Sequence, residues 1–262
     1  MYVAALIERA ARRYNDLAAD WSKERVTDRE WVLYYNDAIR QVALVRPQSC
    51  SSVEALLLVA GVLQTIGATA FMLLDVIQNL GSDGTTAGNI ITKVERAALD
   101  AANLAWPAGT SSDAVDNYAV DDRYPRNFWV TPPVGAGGTV YVQVGVAKSP
   151  TEATEAFAWN DSSTYALAAK VLYLGKFWTS LQAANTGNTP ATGSAWWVET
   201  SVAFALPDIY AGPVAEWMVR LAFAADTESV ESRALVAACE KSFYQTLGIK
   251  TQADVIISPS AQ

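Results

Sequence analysis

The sequence predicts an α+β fold, mainly a helical bundle with a β-hairpin, plus a small all-β inserted module. Three observations point there. Apolar residues recur at three- and four-residue spacing near both ends of the chain, at 3–19, 28–45 and after Pro207. Residues 117–146 are rich in β-branched and aromatic residues with glycines between the runs. Eight aromatic side chains crowd into 151–200, among them Trp159, Tyr173, Trp178, Trp196 and Trp197.

Each element has a local reason. In 3–19, Val3, Leu6, Ile7, Ala10, Tyr14 and Leu17 share one face, which predicts an amphipathic helix. Thr27-Asp28-Arg29-Glu30 is a capping box, and it opens a helix with the stripe Trp31, Tyr34, Tyr35, Ala38, Val42 and Val45, closed by Pro47. A short link makes these two a helical hairpin. Residues 53–80 are apolar but aperiodic, with Gly61 and Gly67 marking strand–turn–strand or strand–turn–helix. Residues 91–102 read as a short helix. NFWVTPP and TVYVQVGV read as the two arms of a hairpin turned by Gly135, Gly137 and Gly138, with Val140, Val142, Val144 and Val146 on one face. KVLYLG and KFWTS read as strands of a compact three-stranded module of about 45 residues, stabilised by a few aromatics. Beyond Pro207 one helix buries Val214, Trp217, Met218 and Leu221. Another, 228–247, buries Val230, Ala234, Ala238 and Leu247 and stops at Gly248.

Composition removes several functions. The chain has 262 residues, 51% hydrophobic and 18% charged, which excludes a disordered polymer. It contains no histidine, so His-based triads and His-bearing zinc sites are excluded. Cys50 and Cys239 form no CxxC pair and are either two free thiols or one long-range disulfide. The net charge of −8 is uneven: residues 1–50 hold eight basic against seven acidic groups, the other 212 hold 11 against 20. Such a chain lacks the basic surface of a sequence-independent nucleic-acid binder, and an acidic wall suits a channel through which DNA slides. The N-terminus is too polar for a secretory signal and reads as a mature cytosolic start. Ala55–Leu74 is 20 residues without a charge, but Gln64 and two threonines interrupt it and no basic or aromatic belt flanks it. It reads as buried core, not a membrane span.

Chemistry-bearing patterns are sparse. Asp121-Asp122, Glu152 with Glu155, and Glu228 with Glu231 are the paired acids, and all read as solvated or capping groups. GSDGTTAG lacks the Gly-Lys-Ser/Thr of a phosphate loop, and no GxSxG occurs. The reading is no enzyme, no cofactor and no metal. Arg9, Arg12 and Arg13 form the densest basic cluster and read as an intersubunit salt-bridge face.

Two segments carry a family resemblance. DDRYPRNFWVTPPV (121–134) and LPDIYAGPVAEWMVRLAFAADTES (206–229), with LLLVAGVLQ, LLDVIQNLGSDGTT and VERAALDAANLAWP between the first helices and the hairpin, resemble the head-to-tail adaptor (connector) proteins of short-tailed bacteriophages. The resemblance covers 1–150 and 205–250. It implies a structural virion protein at the portal vertex, assembled in the host cytoplasm. It also implies a homo-oligomeric ring, usually of twelve copies, between portal protein and tail nozzle or tail fibre protein. Genomic DNA would pass through its channel without specific binding, and no membrane would be involved. A C-terminal arm, Thr251–Gln262, with Val255, Ile256, Ile257 and Pro259, would dock on the portal.

The aromatic window 157–200 is similar to small chitin-binding-type carbohydrate modules. The expected division is therefore an adaptor core in 1–150, an inserted module in 151–203, adaptor helices in 204–250 and an arm in 251–262. Leu181-Gln182-Ala183-Ala184 stands where sugar-binding members carry exposed aromatics. Trp159 and one of Trp196 and Trp197 are expected in the module's core. Trp178 and the other are expected to be exposed, and with Tyr173 they would contact a glycan or a partner. The module is expected to project outward, for decoration or contact with a neighbouring virion protein. The alternative is glycan binding in host-surface attachment.

Overall fold

In the computed structural model the described residues are 1–16, 25–102, 105–154, 157–174, 176–200, 202–225 and 230–248. The chain divides into two units. One comprises 1–46 and 150–262, the other 47–149.

The first unit begins with α1 (Val3–Tyr14), which buries Val3, Leu6, Ile7, Ala10, Ala11 and Tyr14. It ends earlier than the periodicity suggests, because Asn15 turns into the left-handed region at φ 58°. Leu17 lies outside the described residues. Asp16 is buried and accepts from the Val26 backbone N–H at 3.0 Å and the Trp31 indole N–H at 3.3 Å. α2 (Asp28–Val45) opens with the capping box as expected: the Glu30 N–H donates to the Thr27 hydroxyl, and the Thr27 N–H donates to the Glu30 carboxylate.

The second unit is almost entirely sheet. Its strands are β1 (Ser51–Leu57), β2 (Gly61–Thr65), β3 (Ala70–Leu80), β4 (Ala87–Ile90), β5 (Thr92–Lys93), β6 (Asn117–Val120), β7 (Asn127–Val134) and β8 (Tyr141–Lys148). A short helix, α3 (Arg96–Ala102), has no buried residue. One sheet runs β1-β8-β3-β4, the other β2-β7-β6-β5. Residues of both share one core, with Phe128, Val130, Val142, Val144 and Val146 fully buried.

Two expectations are corrected here. The chain is not a mainly helical bundle: strands make up 30% of the described residues, in four small sheets beside five helices, although α+β stands. Nor do NFWVTPP and TVYVQVGV form a hairpin. β7 pairs with β2 and β6, whereas β8 pairs with β1 over seven residues and with β3 along its whole length. The glycine-rich link at 135–140 crosses between sheets, and the longest strand available, β3, outcompetes the sequence neighbour as partner for β8. The valine face of β8 is buried as expected.

The stretch 53–80 is strand–turn–strand, and its aperiodicity has a physical cause. β3 carries three register shifts against β8, between Ala70 and Met72, Leu73 and Asp75, and Val76 and Gln78. Each bulge sets two residues opposite one, so the buried positions fall at 70, 73, 76 and 79 instead of alternating.

Inside this unit the Tyr118 hydroxyl donates to the Asp75 carboxylate at 2.6 Å. Burial, then that acidic neighbour, pushes the phenol well above its usual value of 10. The folded state thus holds Tyr118 neutral at a pH where the unfolded chain ionises it. Its contribution is present below the unfolded value and is lost as pH rises through it towards the folded one. Stability should therefore fall between about pH 9 and about pH 11, and Tyr118→Phe should flatten part of that slope. Urea titrations at both pH values check this, and equal slopes in the two proteins would refute it.

The chain returns to the first unit with β9 (Phe157–Ala158), β10 (Thr164–Tyr165), β11 (Lys170–Tyr173), β12 (Lys176–Ser180), β13 (Asn185–Thr186) and β14 (Trp197–Glu199). The expected three-stranded module is a four-stranded sheet, β14-β12-β11-β9, beside a β10-β13 pair. The hairpin of KVLYLG and KFWTS is present as β11 and β12.

The unit closes with α4 (Ala211–Ala225) and α5 (Val230–Thr246). α1 and α2 pack chiefly on α4 and little on each other, so the expected helical hairpin is replaced by a shared support. Tyr14 sets its ring edge-on to Phe223 at 4.8 Å, and Trp217 meets Phe243 at 4.6 Å. Among the described side chains of α5 the buried apolar one is Phe243, with Leu247 buried just past its end, while Ala234 and Ala238 are exposed. Gly248 ends the helix at φ +67°, donating to the Gln245 carbonyl. The side chain of Val230 lies outside what is described.

Candidate interaction surface

The aromatic cluster of 157–200 centres on Val171, Trp178 and Trp197, with Trp159, Tyr165, Tyr173 and Trp196 packed around it, partly buried. Trp178 is 4% exposed and its indole N–H donates to the Tyr173 carbonyl at 3.2 Å. Trp197 is 1% exposed, sits edge-on to Tyr165 at 5.3 Å and donates to the Asn188 carbonyl at 2.7 Å. The expectation that Trp178 is exposed is thereby corrected. β11 and β12 are too short to bury a core without both indoles. Tyr173 and Trp196 are half-buried, spent on packing against the same cluster. Val255, Ile256, Ile257 and Pro259 lie outside the described residues.

The basic cluster on α1 is largely satisfied within the chain. Arg12 pairs with Glu8 one turn earlier at 2.8 Å, and Arg13 reaches Glu216 on α4 at 2.6 Å. The expected intersubunit face is corrected to that extent: two of its three guanidiniums have partners in their own unit.

A cleft of 630 Å³ lies in the second unit, lined among others by Lys93, Arg96, Asp100, Asp121, Asp122 and Arg123. Arg123 donates to Asp121 from its side chain and backbone, holding that carboxyl down at about 2. Arg96 lies over the Trp129 ring at 4.3 Å and pairs loosely with Asp100 at 3.9 Å. These charges answer one another across open solvent, where such pairs contribute little. Glu152 likewise pairs with Arg40, at 3.3 Å. Glu155 and Glu228 lie outside the described residues. Both cysteines are free thiols, and burial pushes each above its usual value. Among the described residues no group of three or more acidic or cysteine side chains is placed to hold a metal, and no helix is long and apolar enough to cross a membrane.

The most unusual surface is one that sequence reasoning placed in the core. β1 alternates exposed and half-buried residues, and β2 and the turn between them are likewise open. Val53, Leu57, Val59 and Leu63 are 58%, 49%, 62% and 47% exposed. The signal available was the alternation of Ser51, Val53, Ala55 and Leu57 with Ser52, Glu54 and Leu56. It was masked because both sets contain apolar residues.

The edges here differ. Gln64, on β2, is buried and turns its amide back to the Val59 N–H at 2.8 Å, the Val59 carbonyl at 2.8 Å and the Gly61 carbonyl at 3.1 Å. The outer edge of β1 has no such cover among the described residues, and its one charged side chain, Glu54, is tied to Lys148.

The comparisons bear on the chain as a whole. A family model described as SU10 adaptor protein matches residues 1–261. A search of curated proteins returns no match. With a match that runs through both units, the chain belongs to the SU10 adaptor protein family, the phage head-to-tail adaptors, whose role is structural.

Proposed function

We propose that this protein forms a ring between the portal and the tail of a phage virion and lines the passage through which the genome leaves. The observation that carries this reading is the family match over 1–261, which spans both units. Two properties support it. The net charge of −8 disfavours adhesion of DNA to the wall it passes. The apolar, uncharged stripe of β1 and β2 is more than a lone soluble chain needs on its surface, as expected of a protein that works in an assembly. The ring is a cyclic one, closed by a heterologous interface repeated from copy to copy.

The module at 157–200 is proposed to contact a neighbouring virion protein. Its two most buried indoles serve its own stability, so the reading does not extend to glycan binding.

Native mass spectrometry of the complex with the cognate portal tests the proposal. The expected result is one discrete species heavier than the portal by about twelve chains. Portal and chain that remain separate at micromolar concentration would sink it.

A further inference from the structure

The outer edge of β1 is an unguarded β-strand edge. Among the described residues β1 pairs on one side only, with β8, and is the terminal strand of its sheet. Proteins ordinarily protect such edges with charges, prolines or bulges. The opposite sheet does so: β2 carries a register shift and its approach is held by the Gln64 amide. β1 runs seven residues without a bulge, and its exposed face, Ser51, Val53, Ala55 and Leu57, holds no charge.

The same chain supplies a segment of matching length and chemistry. Fourteen residues, 249–262, follow Gly248, and within them Gln252–Ser258 is seven residues long, with a β-branched centre at Val255-Ile256-Ile257. Pro259 follows, lacks an N–H and ends any ladder there.

We propose that Gln252–Ser258 of one copy adds to the β1 edge of a second copy as an antiparallel strand. This rests on the ring reading, in which each copy has a neighbour. Setting Val255 opposite Ala55 places Ala253 opposite Leu57 and Ile257 opposite Val53. All three then fall on the exposed face, each beside an apolar residue of the stripe. Main-chain bonds supply the attachment and the apolar alternation fixes the register, as in other strand additions. A one-residue slip would put Asp254 or Gln252 over the stripe instead, so the register is specified.

Hydrogen–deuterium exchange on the full chain tests this. Protection of 51–57 should rise with protein concentration and reach at least tenfold, because the strand comes from another molecule. Val255→Pro with Ile257→Pro, which removes two backbone donors from the added segment, should abolish it. Added peptide TQADVIISPSAQ should restore it. Val53→Lys with Leu57→Lys, both at exposed positions, should block the restoration.

Exchange at 51–57 that is independent of concentration, or equal in the native chain and the proline variant, overturns the inference. The adaptor reading is judged separately, by the mass of the portal complex. A proline variant that still loads onto the portal, together with a native chain showing no protection of 51–57, would sink the strand exchange alone.

Discussion

Replacing Trp197 by alanine should destabilise the first unit by about 4 kcal/mol, within the range for removing a buried aromatic. The side chain is 1% exposed and meets Val171, Trp178 and Tyr165. Its indole N–H holds the Asn188 carbonyl, and Asn188 in turn donates to the buried Asn185 at 2.9 Å. Truncation therefore opens a cavity and releases the loop that leads from β13 to β14. A sheet with strands of two to five residues has no second layer to refill the space. Trp197→Phe keeps most of the area and loses the hydrogen bond, so it should cost about 1 kcal/mol net of its smaller ring. Urea titration followed by circular dichroism measures both. A loss below 1 kcal/mol for the alanine variant would show that the cluster is not the module's core.

A second substitution, Asn79→Leu, should cost about 3 kcal/mol or more although it nearly conserves volume. Asn79 sits on the bulged strand β3, 7% exposed. Its amide donates to the Val115 carbonyl at 2.7 Å and the Asn89 carbonyl at 3.2 Å, and accepts from the Val115 N–H at 2.9 Å. It thus does for 89 and 115 what a neighbouring strand would do. Asn36 plays the same part on α2, exchanging two bonds with the Ala153 backbone at 2.9 and 3.0 Å. Leucine at 79 would leave both buried backbone groups of Val115 without partners, each costing about 1–3 kcal/mol, and would release the half-buried Asn89 carbonyl as well. A melting temperature within a degree or two of the parent's would show that the loop finds other partners.

How much of this was legible in the sequence depends on the kind of signal. The helices announced themselves: a capping box at Thr27 and a stripe of six residues on α1 need no tertiary context. The valine face of β8 was legible because β8 lies flat against β1. β3 was not, because its bulges convert a period of two into a period of three, which resembles neither strand nor helix.

The pairing of β7 with β2 was invisible because β2 lies about 60 to 75 residues earlier in the chain, and no local rule ranks such distant partners. α5 misled in a different way. Alanines at helical spacing suggest an inward stripe, yet Ala234 and Ala238 are small enough to be left in water at little cost. The candidate surface failed for the opposite reason. An apolar run reads as core, and only the sheet order reveals that β1 has one neighbour instead of two.

The bulges of β3 also bear on how this part of the molecule can change over generations. In a regular strand, inserting or deleting one residue reverses every side chain beyond it and is lethal to the core. A strand that already absorbs an extra residue at three places can gain or lose a bulge and keep its remaining inward positions where they were. Length variation among relatives should therefore collect inside β3 as well as in loops, whereas β1 and β8, paired without interruption, should hold a fixed length.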